Sequence, residues 1–325
     1  MRLSIVALIC LLCVIPIVAQ DNGNDIDWTI SDFVPPIGAA ESPQNNNDGY
    51  GPWNRRILIA ISEDDGWTWE RTGQNLSDQA DYPTAVITPD GRIFVYFITY
   101  HAEIRNQIVA AISDDFGETW VYKRVTFDFP QPPVDPSAIV LDDGSIRMFF
   151  NQSIERRTVA IYSATSEDGL NFILDSQMPH LADEDSHILA PTIFRFDNGY
   201  HLYAINPQGA NYHALSEDGL SFTSQTDVVL EERHFIAQGQ LALDNGFRVF
   251  TFTGAPAHDG FFPSIHSYIT TDGFTWERED GTRLVYDGQY AYESVSVRNP
   301  AVIRLPDDRI LMFYITVIPE PYSGS

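Results

Sequence analysis

Over most of the chain, short apolar runs rich in Val, Ile, Phe and Tyr alternate with tight polar turns, the pattern of antiparallel strands and not of helices. One unit runs from Pro83 to Phe97, with an apolar strand, the turn Pro89-Asp90-Gly91 and a second strand. It returns around Asp143-Gly144, Asn198-Gly199, Asn245-Gly246 and Pro306-Asp307-Asp308. Asp-Gly and Asn-Gly supply the positive φ of a two-residue hairpin. A second unit is interleaved with it: Ser62-Glu63-Asp64-Asp65-Gly66-Trp67-Thr68-Trp69, then Ser113 to Trp120, and shorter copies at Ser166 to Phe172, Ser216 to Phe222 and Thr270 to Trp276. Its glycines stand at 66, 117, 169, 219 and 273, a spacing of about 50 residues that belongs to propeller blades.

Each repeat therefore predicts two hairpins, strands a–b joined by the Asp-Gly turn and c–d by the Ser/Thr-x-Asp unit. The body opens on a c–d hairpin at Arg55 to Ile61 and closes on an a–b hairpin at Pro300 to Tyr314. Joining them completes a blade and leaves no sheet edge. The expected fold is all-β, a five-bladed β-propeller of four-stranded antiparallel blades over residues 49–325.

Ahead of it, residues 1–19 read as a secretory signal peptide, with Arg2, an apolar run from Leu3 to Val18 and a cut after Ala19. Residues 20–48 read as a polar arm in which Trp28, Ile30, Phe33 and Val34 are able to pack locally. Both cysteines, Cys10 and Cys13, leave with the leader, which excludes disulfides and thiolate chemistry from the mature chain. The 325 residues carry 45 Asp+Glu against 19 Lys+Arg, a net charge of −26. That balance argues against a nucleic-acid or anionic-membrane partner. The expectation is a secreted monomer with no transmembrane segment after cleavage.

The Ser-x-Asp-x-Gly-x-Thr-Trp unit resembles the Asp-box of sialidases and related proteins. The resemblance implies that Asp64, Asp115, Asp168, Asp218 and Asp272 are structural, bonding their own turns while the aromatic packs between sheets. The five-bladed count also resembles the arabinanase, xylosidase and invertase-type glycoside hydrolases, which implies acidic residues at the starts of the a strands.

Those starts are Asp81-Tyr82-Pro83, Val134-Asp135-Pro136, Leu189-Ala190-Pro191, Ala237-Gln238-Gly239 and Arg298-Asn299-Pro300. Two carboxylates on neighbouring starts are what glycoside hydrolysis needs, one to protonate the leaving oxygen and one to activate water or attack. Asp81 and Asp135 are the expected pair, with Glu293 a third catalytic candidate. Tyr82, His187, Gln238, Tyr292, Arg298 and Asn299 are expected to contact substrate. Asp135-Pro136 matches the glycosidase Asp-Pro element, whereas the third start, Leu189-Ala190-Pro191, carries no acid. Under the sialidase resemblance, Arg298 would grip a carboxylate, Tyr292 and Glu293 would be the nucleophile pair and Asp135 the acid/base, with Arg105, Arg156, Arg157 or Arg233 completing the arginines.

His180, Asp183, Asp185 and His187 share one connection, which reads as a solvated acidic loop, and no metal or other cofactor is expected. The function this supports is action on an extracellular glycan, with hydrolysis set against a non-catalytic glycan- or protein-binding propeller.

Overall fold

β-Branched and aromatic residues fill the regular elements. The computed structural model of the chain describes residues 26–40, 51–129, 133–155, 158–183, 188–206, 209–231, 233–254 and 263–319. Among them the elements are strands and one 3-10 turn, Pro52–Asn54. The strands are β1 (Arg55–Ser62), β2 (Glu70–Asp78), β3 (Ala80–Ile87), β4 (Ile93–Thr99), β5 (Gln107–Ser113), β6 (Val121–Arg124), β7 (Thr126–Phe127), β8 (Val134–Val140), β9 (Ile146–Glu155), β10 (Thr158–Ser166), β11 (Asn171–Leu174) and β12 (Leu181–Asp183). They continue as β13 (Leu189–Phe196), β14 (Gly199–Ile205), β15 (Asn211–Ser216), β16 (Thr223–Ser224), β17 (His234–Leu243), β18 (Gly246–Thr253), β19 (Ser264–Thr270), β20 (Glu277–Arg278), β21 (Leu284–Val285), β22 (Arg298–Arg304) and β23 (Ile310–Val317).

Antiparallel neighbours follow chain order in β3-β4-β5-β6, β8-β9-β10-β11, β13-β14-β15-β16 and β17-β18-β19-β20. The remaining group joins the two ends of the body: β22 pairs β23, β23 pairs β1 and β1 pairs β2. The β1–β23 ladder runs from Arg55–Val317 to Ser62–Ile310 without a break. The first strands of the groups pack side by side, β3 against β8 and β22, and β13 against β8 and β17, while β17 meets β22 at one parallel bridge, Gln238–Ala301.

Apolar side chains gather between neighbouring groups. One cluster joins Phe94 and Tyr96 to Met148 and Phe172, another joins Ile57 and Phe313 to Val95 and Phe97, and a third joins Tyr314 and Met312 to Phe250. Two further clusters complete the set between β9–β10 and β13–β14, and between β13–β14 and β17–β18.

The Ser/Thr-x-Asp turns lock this arrangement. In the first, Ser62 Oγ donates to Asp64 at 2.8 Å, the Gly66 amide donates to Ser62 Oγ at 3.0 Å, and the Thr68 amide and hydroxyl donate to Asp64 at 2.8 and 2.6 Å. Asp115, Asp168, Asp218 and Asp272 repeat the pattern. The aromatic ending each turn meets, edge-on, a ring of the preceding group: Trp69 on Phe250, Trp120 on Phe313, Phe172 on Tyr96, Phe222 on Phe149 and Trp276 on Tyr203, with centroids 5.6–5.9 Å apart.

The leader expected over residues 1–19 lies outside the described residues. Of the arm, residues 26–40 are described, and they lie on the body instead of forming a free tether. Trp28 packs edge-on to Phe94 and under the Arg92 guanidinium, Phe33 lies against Tyr122, and Asp32 binds Lys123 Nζ at 3.0 Å and the Arg124 amide. Ile30 and Val34 remain exposed. No helix of the described residues is long and apolar enough to cross a membrane.

Candidate active site

Four first strands begin with the same irregularity. Between Asp81–Ile98 and Thr84–Tyr96, β3 carries one residue more than its partner β4, and the same excess occurs between Val134 and Ser137, Leu189 and Thr192, and Arg298 and Ala301. These are β-bulges on strands whose free edge faces the axis, where proline's missing N–H breaks no ladder bond. The residue before each proline takes a left-handed φ: Tyr82 at 51°, Asp135 at 54°, Ala190 at 52° and Asn299 at 48°. Such a conformation costs about 1–3 kcal/mol for a non-glycine residue, and the following proline restricts it further. In β17 the shift spans Ile236 to Gln240, and Gly239 (φ 93°) replaces proline because a Cβ there would collide with the Val302 backbone.

The bulges converge on a throat of about 20 Å³, lined by Tyr82, Asp135, Ala190, Gln238 and Asn299 with Ile205, Ile236 and Phe252 around them. That volume holds about one water and no sugar ring, so a saccharide would sit above it. Asp135 lines this throat, and Asp81, one residue before the lining residue Tyr82, lies close enough for its charge to act on Asp135. Asp81 is 2% exposed and ion-paired to Arg55, the first residue of β1, while its Oδ1 accepts from the Tyr82 amide at 3.1 Å.

Among the described residues, Asp135 has no such cation. Burial first, and then the charge of Asp81, push its carboxyl up to about 7, with the Ala190 amide opposing. The hydroxyl of Tyr82 is pushed up by burial, Asp135 and Asp81, and that of Tyr100 by burial, Asp81 and Asp135. Arg298 is pushed down by burial and by the like charge of Arg55, with Asp81 and Tyr82 opposing. Among the described residues, the Arg298 guanidinium makes no ion pair and no hydrogen bond. The mouth thus combines one carboxyl that titrates near neutrality, one ion-paired carboxylate and one uncommitted guanidinium.

Other expected site residues lie elsewhere. Glu293, expected as a third catalytic carboxylate, is held by Arg71 Nε of β2 at 2.8 Å and by the Tyr314 hydroxyl, and does not line the mouth. Tyr292 lies tilted against Tyr290 and packs against the apolar cluster of Tyr314, also away from the throat. The connection leading into β22 runs outward over β2, which takes both residues with it. Gln238 lies at the mouth, but its amide bonds to neighbouring strands. His187, Asp185, Arg156 and Arg157 fall outside the described residues. His180 uses Nε2 on Ser163 Oγ (2.8 Å) and Nδ1 on the Leu220 carbonyl (2.7 Å). Arg55 and Tyr100 are the members that reading by strand starts missed; the Arg55-Arg56 doublet opening an otherwise apolar strand is the only local signal of the first.

No protein-family model matches the chain, and no curated protein matches it. Solved structures do. The chain is similar to a thermostable family-43 glycoside hydrolase, with a TM-score of 0.56 and 13% identity over 73% of this chain and 88% of the other. It is similar to an endo-arabinase from Bacteroides thetaiotaomicron, with a TM-score of 0.54 and 13% identity over 74% and 94%. It is also similar to an N-acetylgalactosamine deacetylase from F. plautii, solved with blood group B trisaccharide, with a TM-score of 0.55 and 13% identity over 80% and 95%. At these identities the likeness establishes a shared all-β fold.

Proposed function

We propose that the chain is a secreted five-bladed β-propeller that hydrolyses glycosidic bonds of an extracellular glycan at the mouth formed by Asp81 and Asp135. The blade count rests on the five groups of paired strands, one of which unites the two ends of the body. Secretion rests on the leader pattern of residues 1–19. Glycan as substrate draws on the glycoside hydrolases and the saccharide-bound deacetylase that share the fold.

The observation that carries the reading is Asp135: a carboxyl held up to about 7 by burial beside a second carboxylate stays protonated in mildly acidic solution and is about half protonated at neutrality. It donates that proton to the leaving oxygen. Asp81 supplies the negative charge that holds Asp135 protonated, and it acts as base or nucleophile once Arg55 turns to the substrate. Arg298 binds a substrate hydroxyl or carboxylate, with Tyr82 and Asn299 shaping the mouth.

A second reading, a glycan-binding propeller without turnover, is favoured by one feature. Asp81 already spends its oxygens on Arg55 and the Tyr82 amide, and Leu189-Ala190-Pro191 offers no replacement carboxyl. Assay of the purified protein on aryl α-arabinofuranoside, β-xyloside, β-fructoside and α-sialoside surrogates, beside Asp135→Asn and Asp81→Asn, separates the two. Turnover abolished by Asp135→Asn in a folded protein supports hydrolysis. Retention on a glycan array with no turnover on any substrate would leave the binding module.

A further inference from the structure

Side-chain hydroxyls tie the first strands to one another at one register position. Thr84 Oγ1 accepts from the Ala138 amide and Ser137 Oγ from the Ile193 amide, both at 3.0 Å. At the next junction the pattern changes, and the Gln238 side chain reaches back from β17 across both β13 and β8. Its Nε2 donates to the Pro191 carbonyl at 3.0 Å and to Thr192 Oγ1 at 3.3 Å, and lies 3.5 Å from the Pro136 carbonyl; its Oε1 accepts from Ser137 Oγ at 2.7 Å. These partners sit directly after the bulged residues Asp135 and Ala190.

Two cavities lie along the axis. The throat beside Asp135 measures about 20 Å³, and a cavity of about 280 Å³ lies between the same strands beyond Thr84, Ala138 and Ile193. Gln238 is the residue that lines both. We propose that Gln238 is the floor of the mouth, a positioning residue whose side chain fills the channel under Asp135 and keeps water in the lower cavity from reaching that carboxyl.

The substrate contact expected for Gln238 fits less well, since its N–H groups already point at strand carbonyls and hydroxyls. A closed floor also accounts for burial being the main influence on Asp135. The charged and titratable groups that act on that carboxyl are Asp81 and Tyr82 from β3 and Tyr100 beyond β4, with Arg55 of β1 and Arg298 of β22 set against Asp81 and Tyr82 behind them, and none of them is altered by a change at position 238.

The test is a carbon-13 NMR titration of the Asp135 carboxyl in the full mature protein, assigned with Asp135→Asn. Gln238→Ala joins the cavities, and the midpoint is expected to fall from about 7 towards about 6, a tenfold loss of proton affinity. Gln238→Met, close in volume but without the amide, keeps the floor closed and leaves the midpoint near its original value. Gln238→Asn, one methylene shorter, gives an intermediate fall and serves if the alanine variant does not fold. An unchanged midpoint in the alanine and asparagine variants overturns the proposal, and so does an equal fall in the methionine variant. The readout needs no turnover, so failure of the floor and failure of the hydrolase reading are separate results.

Discussion

The two faces of the molecule use aspartate in opposite ways. On the turn face, Asp64, Asp115, Asp168, Asp218 and Asp272 each close a tight turn with a Ser or Thr two residues earlier and amides shortly after. At Asp218 the Ser221 and Leu220 amides hold the carboxyl well below its usual range. Burial opposes ionisation at the other four, and the turn's hydrogen bonds outweigh it, so all are lowered. At the mouth the bulge is repeated but the acid is not: the four left-handed positions hold Tyr82, Asp135, Ala190 and Asn299. Ala190 adopts the strained φ with nothing to contribute to chemistry, so the bulge belongs to the scaffold. What singles out Asp135 is its departure from the repeat together with its raised carboxyl.

The largest effect that would break this contrast is at Asp135. Asp135→Asn is expected to lower turnover by about a hundredfold or more, as loss of a general acid does. The same variant tests the sign of linkage. The folded carboxyl titrates near 7 and the unfolded one near about 4, so between those values the native state holds a proton that the unfolded chain has released. Stability therefore declines as pH rises from about 4 to 7, by up to about 1.4 kcal/mol per pH unit. In Asp135→Asn this decline disappears and the protein is more stable than the parent at pH 8, as urea unfolding across pH reports. A parent protein with no decline in that window would place Asp135 with the turn aspartates.

Next comes Asp81→Asn, which removes the Asp81 counter-charge from the largely buried Arg55 guanidinium, beside the like charge of Arg298. A loss of about 3 kcal/mol is expected from equilibrium unfolding. The Asp135 midpoint should fall at the same time, because the Asp81 charge is one of the influences that raise it. On the opposite face, Asp218→Ala removes hydrogen bonds at 2.7–2.8 Å from the Leu220 and Ser221 amides and from Ser216, and should cost about 1–2 kcal/mol. Since the carboxyl is lowered in the fold, its contribution is present above about pH 4 and is lost as pH falls further, the reverse of Asp135. Neither turnover nor the Asp135 titration should move.

The turn face was legible from sequence because its chemistry is local: Ser, Asp, Gly and an aromatic within eight residues specify the turn and its docking ring, as Ser62 to Trp69 and its contact with Phe250 illustrate. Pairing of the terminal hairpins was legible for the same reason, since the c–d unit at one end and the a–b unit at the other are each incomplete. The mouth was legible only as far as the strand starts. Asp81 and Asp135 could be found from their prolines, but the cation on Asp81 comes from β1, in another group, and no local pattern joins Arg55 to it. Glu293 and Tyr292 were misplaced because a long connection has no periodicity to fix its path, and Arg71 and Tyr314 draw it outward. Gln238 was found by position, while its role depends on carbonyls of two other strands.

The smallest effect concerns the arm, which sharpens the comparison by acting on one face alone. Trp28 meets Phe94 with ring centroids 6.1 Å apart and lies 4.1 Å from the Arg92 guanidinium, beside Asp90, Gly144 and Asp168 of the turns. Trp28→Ala forfeits an edge-to-face contact and a cation–π contact, together about 1 kcal/mol at a half-buried site. Hydrogen exchange should quicken at the Asp32 amide, which donates to the Tyr122 carbonyl, and at the Arg124 amide, which donates to the Asp32 carboxylate. The Asp135 midpoint should stay at about 7, because the mouth lies at the other ends of β3 and β8. A shift there would mean that the strands transmit strain from turn to bulge, and the two faces would then have to be treated as one coupled unit instead of a scaffold and a site.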